Sequence, residues 1–194
     1  MIKKVLRLSC LAALMLSGQC KAGSDQKEVL PASAASAVNA LLIENIITNT
    51  KYHDKIVLDK SAVLIDEYAN KCEWSSLFSK GEKILFFYYS NNFCEMCLDQ
   101  EMQKLKLVPD EYADQVVVLL SVDNNNELKL YKERYKTGFR FYSIGNMELS
   151  KNINSLFRPY YFVVDKALNT SMLYIPDKNL AEPSKAYLKE VLGY

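Results

Sequence analysis

Apolar residues along the chain form short continuous runs, separated by segments with the spacing of amphipathic helices. Residues 84–89 make the clearest run, which predicts a strand buried on both faces of a sheet. Further strands are predicted at residues 116–122, 160–164 and 172–175. Helices are predicted from Cys94 to just before Pro109, at residues 127–136 and at residues 183–193. This order predicts an α/β domain with a central mixed sheet flanked by helices.

The amino-terminal part of the chain has a weaker pattern. Residues 21–36 are small and polar, and they predict a flexible tether. Residues 37–54 predict an N-terminal extension with a short helix, because apolar residues recur at helical spacing at Val38, Leu41, Leu42 and Ile46. Residues 55–58 and 62–65 predict the two strands of a hairpin. The main domain is placed at residues 55–194.

Residues 1–20 have the pattern of an export signal, with basic residues ahead of a short apolar run at residues 8–16. That run is too short to span a bilayer comfortably. The segment ending at Cys20 resembles a bacterial lipobox, which makes Cys20 a lipidation candidate, although Gln19 stands where a small residue is usual. Cleavage after Ala22 is the alternative. Either route predicts a protein of the cell envelope or periplasm, with membrane contact only through a lipid anchor.

Composition and charge indicate an ordinary globular domain. Apolar residues make up 49% of the 194 residues and charged residues 24%. The chain carries 24 basic and 23 acidic residues, so it has no basic excess to attract a phosphate backbone. Nucleic acid is therefore not an expected partner.

The chain has five cysteines, of which Cys10 and Cys20 lie in the leader region. Cys72, Cys94 and Cys97 remain in the domain, and this odd number favours one functional pair and a spare thiol over a framework of structural disulfides. Cys72 is either a packing residue or a third reactive thiol.

The Cys94-Glu95-Met96-Cys97 segment follows a predicted buried strand and opens a predicted helix. Unpaired N–H groups and the helix dipole at this position favour an anion, so the pKa of the Cys94 thiol should fall below that of a free cysteine. Cys97 lies one helical turn further on and can attack a mixed disulfide formed by Cys94. We therefore expect Cys94 to be the nucleophile and Cys97 the resolving thiol.

Residues 84–97, followed by a helix, and Arg158-Pro159-Tyr160 ahead of a later strand resemble the thioredoxin fold. The resemblance covers about residues 55–194 and is greatest to exported, often membrane-anchored thiol-disulfide oxidoreductases and redoxins of bacterial envelopes. It implies a redox-active Cys94–Cys97 disulfide with no other cofactor. It also implies disulfide-containing exported proteins as clients, a membrane thiol reductase as electron donor, and Pro159 as a cis-proline facing the cysteines, where a client backbone can pair.

Three positions depart from the pattern of this superfamily. Phe93 occupies the place where many members have tryptophan, and Tyr88 stands where thioredoxin has a buried carboxylate, so the proton acceptor is unidentified. Arg158 replaces a small or β-branched residue before Pro159. We expect Phe93, Arg158 and Pro159 to line the client-binding surface, with Arg158 favouring an acidic or otherwise particular partner.

Other chemistries fit the sequence less well. A zinc site would need two ligands beyond the cysteine pair, and the domain offers only Cys72 and His53. A copper-delivery protein of this fold would need a histidine after Cys97, which the chain lacks. A peroxiredoxin would have proline and threonine or serine where Phe87 and Asn91 stand.

Two alternatives remain open for the cysteine pair. It can be a purely structural disulfide, although so short a loop constrains the unfolded chain little. The domain can also be an anchored interaction module with little or no redox turnover, since fold alone does not fix function.

The charges beside the cysteines suggest a direction of electron flow. Glu95, Asp99 and Glu101 lie within two helical turns, and nearby carboxylates disfavour a thiolate. A less stabilised thiolate makes the dithiol easier to oxidise. The sequence therefore predicts a reductant or an isomerase.

Overall fold

The computed structural model describes residues 32–52, 56–78 and 82–194. The predicted export signal, the lipidation candidate Cys20, most of the predicted tether and His53 lie outside these residues. No helix in the described part of the chain is long and apolar enough to cross a membrane.

The described residues form one mixed sheet of seven strands in the order β2-β1-β5-β4-β3-β6-β7. The strands are β1 (Leu64–Asp66), β2 (Lys71–Cys72), β3 (Lys83–Ser90), β4 (Val116–Ser121), β5 (Arg140–Ser143), β6 (Tyr160–Asp165) and β7 (Thr170–Tyr174). Strands β3, β4 and β5 are parallel to one another, and the other pairs are antiparallel. The predicted α/β architecture is confirmed.

Helices connect and cover these strands. They are α1 (Ala32–Tyr52), α2 (Glu95–Leu105), α3 (Asn125–Tyr135), α4 (Lys151–Asn154) and α5 (Ala181–Leu192). Helix α2 links β3 to β4 and α3 links β4 to β5, which are the crossovers that parallel neighbours require. Helix α3 begins where the Asn124 side chain accepts a hydrogen bond from the Glu127 N–H at 2.9 Å, and α5 ends at Gly193 in the left-handed conformation.

Strand β3 lies at the centre of the core, between β4 and β6, and all its residues after Lys83 are buried. This position explains why its sequence is continuously apolar instead of alternating. Phe86 stacks on Phe162 of β6 at 5.3 Å and meets Trp74 edge-on at 5.6 Å. Each such ring contributes about 1.5 to 3 kcal/mol through burial, so β3 is a rigid base for the loop that follows it.

The predicted hairpin at residues 55–58 and 62–65 is wrong, since residues 56–58 do not pair with residues 62–65. Strand β1 instead pairs with β2 through a turn in which Asp66 accepts hydrogen bonds from the Tyr68 and Asn70 N–H groups, each at 2.8 Å. Residues 56–58 have no strand pairing, although the side chains of Ile56 and Leu58 are buried. The apolar pattern at these residues therefore reflects burial of two side chains and does not indicate a strand.

Helix α1 begins at Ala32, within the segment predicted to be a tether. Its predicted apolar face is also wrong at Ile46, which is 62% exposed, whereas Asn45 is 8% exposed. The side-chain amides of Asn45 and Asn49 donate hydrogen bonds to the Ile175 carbonyl at 3.0 and 3.2 Å. Amide contacts with the chain just after β7 therefore set the orientation of the helix.

Candidate active site

Cys94 and Cys97 form a disulfide at the start of α2, with Cα atoms 5.2 Å apart. Cys94 is the N-cap residue of this helix, and its Sγ accepts a hydrogen bond from the Cys97 N–H at 3.2 Å. Cys94 is half-buried, whereas Cys97 is 8% exposed. Cys94 is therefore the more accessible cysteine of the pair, and its sulfur lies where a helix N-terminus stabilises a thiolate.

The loop before β6 lies against the disulfide. The Cys94 N–H donates a hydrogen bond to the Phe157 carbonyl at 3.1 Å, which places Arg158 and Pro159 next to the cysteine pair. Phe157 has a φ of 51°, in the left-handed region that a bulky residue rarely adopts. Pro159 is buried and is followed directly by β6. Its cis conformation and its contact with a client stay predictions.

Arg158 is half-buried and its charge is already balanced. Its Nη1 lies 3.2 Å from the Asp177 Oδ2, and the Asp177 side chain is largely buried. An arginine in such a pair has little free charge to offer an acidic client. The structure therefore weakens the reason for expecting an acidic partner at Arg158.

Phe93 is 7% exposed and packs edge-on against Tyr88 at 5.8 Å and Tyr89 at 6.0 Å. Its ring supports the loop from the core side and offers little surface to a client in this form. The exposed apolar residues beside the disulfide are Met96 and Phe157, each 59% exposed. A methionine between the two cysteines was the only sequence signal that could have indicated this surface.

Arg134 of α3 holds both acidic side chains at the start of α2. Its guanidinium lies 2.6 Å from a Glu95 oxygen and 3.0 Å from an Asp99 oxygen, while the Tyr135 hydroxyl donates to Asp99 at 2.6 Å. The hydrogen bond to Glu95 is the main cause that raises the pKa of Arg134. Sequence reasoning missed Arg134 because its proximity arises only when α3 packs beside α2.

Glu101 does not lie among exposed charges, as it is 2% exposed and ion-paired with the buried Lys104. The Tyr161 hydroxyl donates to the Glu101 carboxylate at 2.9 Å, and Lys104 donates to the Ser184 hydroxyl at 3.3 Å. Burial, followed by Glu101, raises the pKa of Tyr161 well above its usual value. Only Glu95 and Asp99 of the three predicted carboxylates lie at the exposed start of α2, and both are paired.

Cys72 is a free, half-buried cysteine on β2, at the far edge of the sheet. Burial is the main cause that raises the pKa of its thiol. Four strand spacings separate β2 from β3, which corresponds to about 19 Å across the sheet. Cys72 is therefore too far away to resolve a mixed disulfide on Cys94 in this conformation.

The described residues contain no cluster of three or more His, Cys, Asp or Glu side chains placed to hold a metal ion. The site defined by its residues is thus a cysteine pair at a helix start, flanked by the loop before Pro159 and by the Arg134 ion pairs.

Comparison with known proteins finds similarity only at the level of structure. No family model matches the chain, and no curated protein matches it. A variant of peroxiredoxin Q from Xanthomonas campestris is similar at 12% identity and a TM-score of 0.52, over 72% of this chain and 98% of that one. A candidate electron transport protein from Aquifex aeolicus VF5 is similar at 14% identity and a TM-score of 0.51, over 72% and 99% of the two chains.

A secreted Mycobacterium tuberculosis disulfide oxidoreductase, described as homologous to E. coli DsbE, matches at 9% identity and a TM-score of 0.48, over 66% of this chain and 94% of that one. The chain has a thioredoxin-like α/β fold, as the sequence resemblance implied.

Proposed function

We propose that the protein is an exported thiol-disulfide oxidoreductase that reduces or isomerises disulfides of exported proteins. The observation that carries this proposal is the Cys94–Cys97 disulfide at the N-terminus of α2 in a thioredoxin-like fold, with the more accessible cysteine at the helix cap. The disulfide itself is the only redox group that the proposal needs. A membrane thiol reductase is the proposed electron donor.

The reaction begins with the reduced protein, in which the Cys94 thiolate attacks one sulfur of the client disulfide. The client S–S bond breaks, a mixed disulfide forms on Cys94, and the released client thiolate takes a proton from water. The Cys97 thiol then loses its proton to water, and the resulting thiolate attacks the Cys94 sulfur. The mixed disulfide breaks, the Cys94–Cys97 disulfide re-forms, and the second client sulfur leaves as a thiolate. The client has gained two electrons, which the dithiol of the electron donor must return to the protein.

A purely structural disulfide explains the site less well. A bridge between residues three apart stabilises the fold by roughly 2 kcal/mol in the chain-entropy description. Helix α2 is also held by a buried side that includes Leu98, Met102 and Leu105. The fold therefore depends little on this bridge, whereas its position at an exposed helix start suits exchange with another disulfide.

The carboxylates near Cys94 disfavour its thiolate less than the sequence suggested, and the proposed direction of electron flow depends on this effect. Arg134 offsets Glu95 and Asp99, so the helix N-terminus is the main influence on the Cys94 thiolate. Among the hydrogen bonds and ion pairs of the described residues, no Lys or Arg contacts the Cys94 side chain. We keep the reductant or isomerase role as the proposal, because strongly oxidising behaviour requires a highly stabilised thiolate.

Turnover of a protein disulfide with dithiothreitol as the donor tests the proposal. Wild type should accelerate reduction, Cys94→Ala should remove the acceleration, and Cys72→Ala should retain it. A wild type no faster than dithiothreitol alone would favour the interaction module. Replacing the disulfide with hydrogen peroxide in the same assay tests the peroxiredoxin alternative.

A further inference from the structure

A polar cleft of about 290 Å³ lies at the end of the two central parallel strands, beside the loop that leads to Cys94. Ser90 ends β3 and Ser121 ends β4, and the two residues are register partners. All the lining residues are Ser, Asn, Asp or Glu, among them Asn92, Asp123 and Glu148. The carboxyl ends of strands in an open α/β sheet are where such folds bind ligands.

The two carboxylates of this cleft differ from those at the start of α2. Glu95 and Asp99 are paired with Arg134, whereas Asp123 and Glu148 are exposed and have no Lys or Arg partner among the described residues. The other lining groups are hydroxyls and amides, which bring no positive charge. The cleft is therefore a negatively charged surface directly beside the disulfide loop.

A buried hydroxyl beneath the cleft is the second observation. The Tyr88 side chain is fully buried, and its hydroxyl has no hydrogen-bond partner within the described part of the chain. Burial is the main cause that raises the pKa of this phenol, while the neighbouring Ser121, Asn154 and Ser90 side chains lower it. The hydroxyl thus lies near two lining residues, Ser121 and Ser90, without reaching hydrogen-bonding geometry with them. The Tyr88 hydroxyl is therefore a hydrogen-bond donor and acceptor without a partner, next to residues that line the cleft.

The cleft is within reach of a client attached to Cys94. Asn92 lines the cleft and lies two residues before Cys94, so their Cα atoms are at most about 7.6 Å apart. A residue next to the client cysteine begins about 3.8 Å from that cysteine, and a lysine adds a flexible four-carbon stem. A basic side chain beside the client cysteine can therefore enter the cleft while the mixed disulfide exists.

We propose that this cleft is a subsite for a lysine or arginine side chain that neighbours the reacting cysteine of the client. The inference rests on the proposed function, because it names the chemistry of the client at the same site. Asp123 and Glu148 supply the charge, and the amide and hydroxyl oxygens supply further acceptors. The client preference is then basic, opposite to the acidic partner that Arg158 suggested from the sequence.

Reduction of disulfide peptides that differ only in the residue beside the cysteine tests the subsite. The pre-reduced protein should reduce a lysine peptide about two- to fivefold faster than an alanine peptide and should reduce a glutamate peptide more slowly. The preference should shrink at high salt. Asp123→Asn and Glu148→Gln should each diminish it, whereas the matched charge change Glu190→Gln on α5 should leave it unchanged.

Equal rates for the lysine, alanine and glutamate peptides would overturn the subsite while leaving the proposed function in place. A lysine preference that survives both cleft substitutions would also overturn it. A failure to reduce any of the peptides would overturn the proposed function and the subsite with it.

Discussion

The two ends of α2 carry charged clusters that meet water in opposite ways. At the start, the Glu95 and Asp99 side chains are 64% and 43% exposed and share Arg134. Further along, Glu101 and Lys104 are almost fully buried and share hydrogen bonds with β6 and α5. In the sequence, Glu101 follows Asp99 by only two residues. The effect of a carboxylate on the cysteines therefore depends on its ion-pair partners and its contact with solvent, and not only on its distance along the chain.

The buried cluster should give the largest effect on stability. Glu101→Leu leaves the Lys104 ammonium buried without its partner, so the free energy of unfolding should fall by about 3 to 5 kcal/mol. Glu95→Gln at the exposed end should change it by at most about 1 kcal/mol. Urea unfolding of the two variants measures the difference. Equal losses would show that the two ends do not differ as described.

The hydrogen bond from Tyr161 should give an intermediate effect. Tyr161→Phe removes the hydroxyl that donates to Glu101 at 2.9 Å, keeps the ring and leaves the longer Ser184 hydrogen bond at 3.4 Å, so unfolding should become easier by about 1.5 to 3 kcal/mol. Tyr187→Phe is the matched control, because the Tyr187 hydroxyl donates to the Met172 carbonyl in an exposed hydrogen bond and not to Glu101. Thermal unfolding measures both variants. A Tyr187→Phe protein that is less stable than the Tyr161→Phe protein would contradict the buried network.

Arg134 should have the smallest effect on stability, and its main effect should be on the thiol. Arg134→Gln leaves Glu95 and Asp99 uncompensated beside Cys94, which disfavours the thiolate and should raise the pKa of the Cys94 thiol. The stability change should stay within about 1 kcal/mol because the pairs are exposed. The pH dependence of alkylation measures the shift, with Arg134→Lys as the charge-retaining control. A profile that moves to lower pH would reverse the sign of the argument.

The features that could be predicted from the sequence are those fixed by local pattern. Strand β3 and the start of α2 follow from a continuous apolar run and a CxxC segment, and the structure has both. Asn124 is likewise a helix cap whose side chain bonds the backbone nearby. Such signals depend on neighbours in the chain, so a single sequence contains them.

The features that could not be predicted depend on tertiary packing. Strand β5 was missed because Arg140-Phe141-Tyr142-Ser143 alternates in burial over only four residues and carries a charge. The partners of Arg158 and of Glu95 are Asp177 and Arg134, which only the folded sheet brings near. Because Arg134 offsets them in the folded protein, Glu95 and Asp99 disfavour a thiolate on Cys94 less than their place in the sequence implies.

Trapping a mixed disulfide tests the central claim most directly. A reduced Cys97→Ser variant, mixed with an excess of a disulfide peptide, should form a stable adduct, and mass spectrometry should map it to Cys94. The account predicts this adduct because Cys94 caps α2 and is the more accessible member of the pair. An adduct found only on Cys72, or the absence of any adduct on Cys94, would contradict the assignment of Cys94 as the nucleophile.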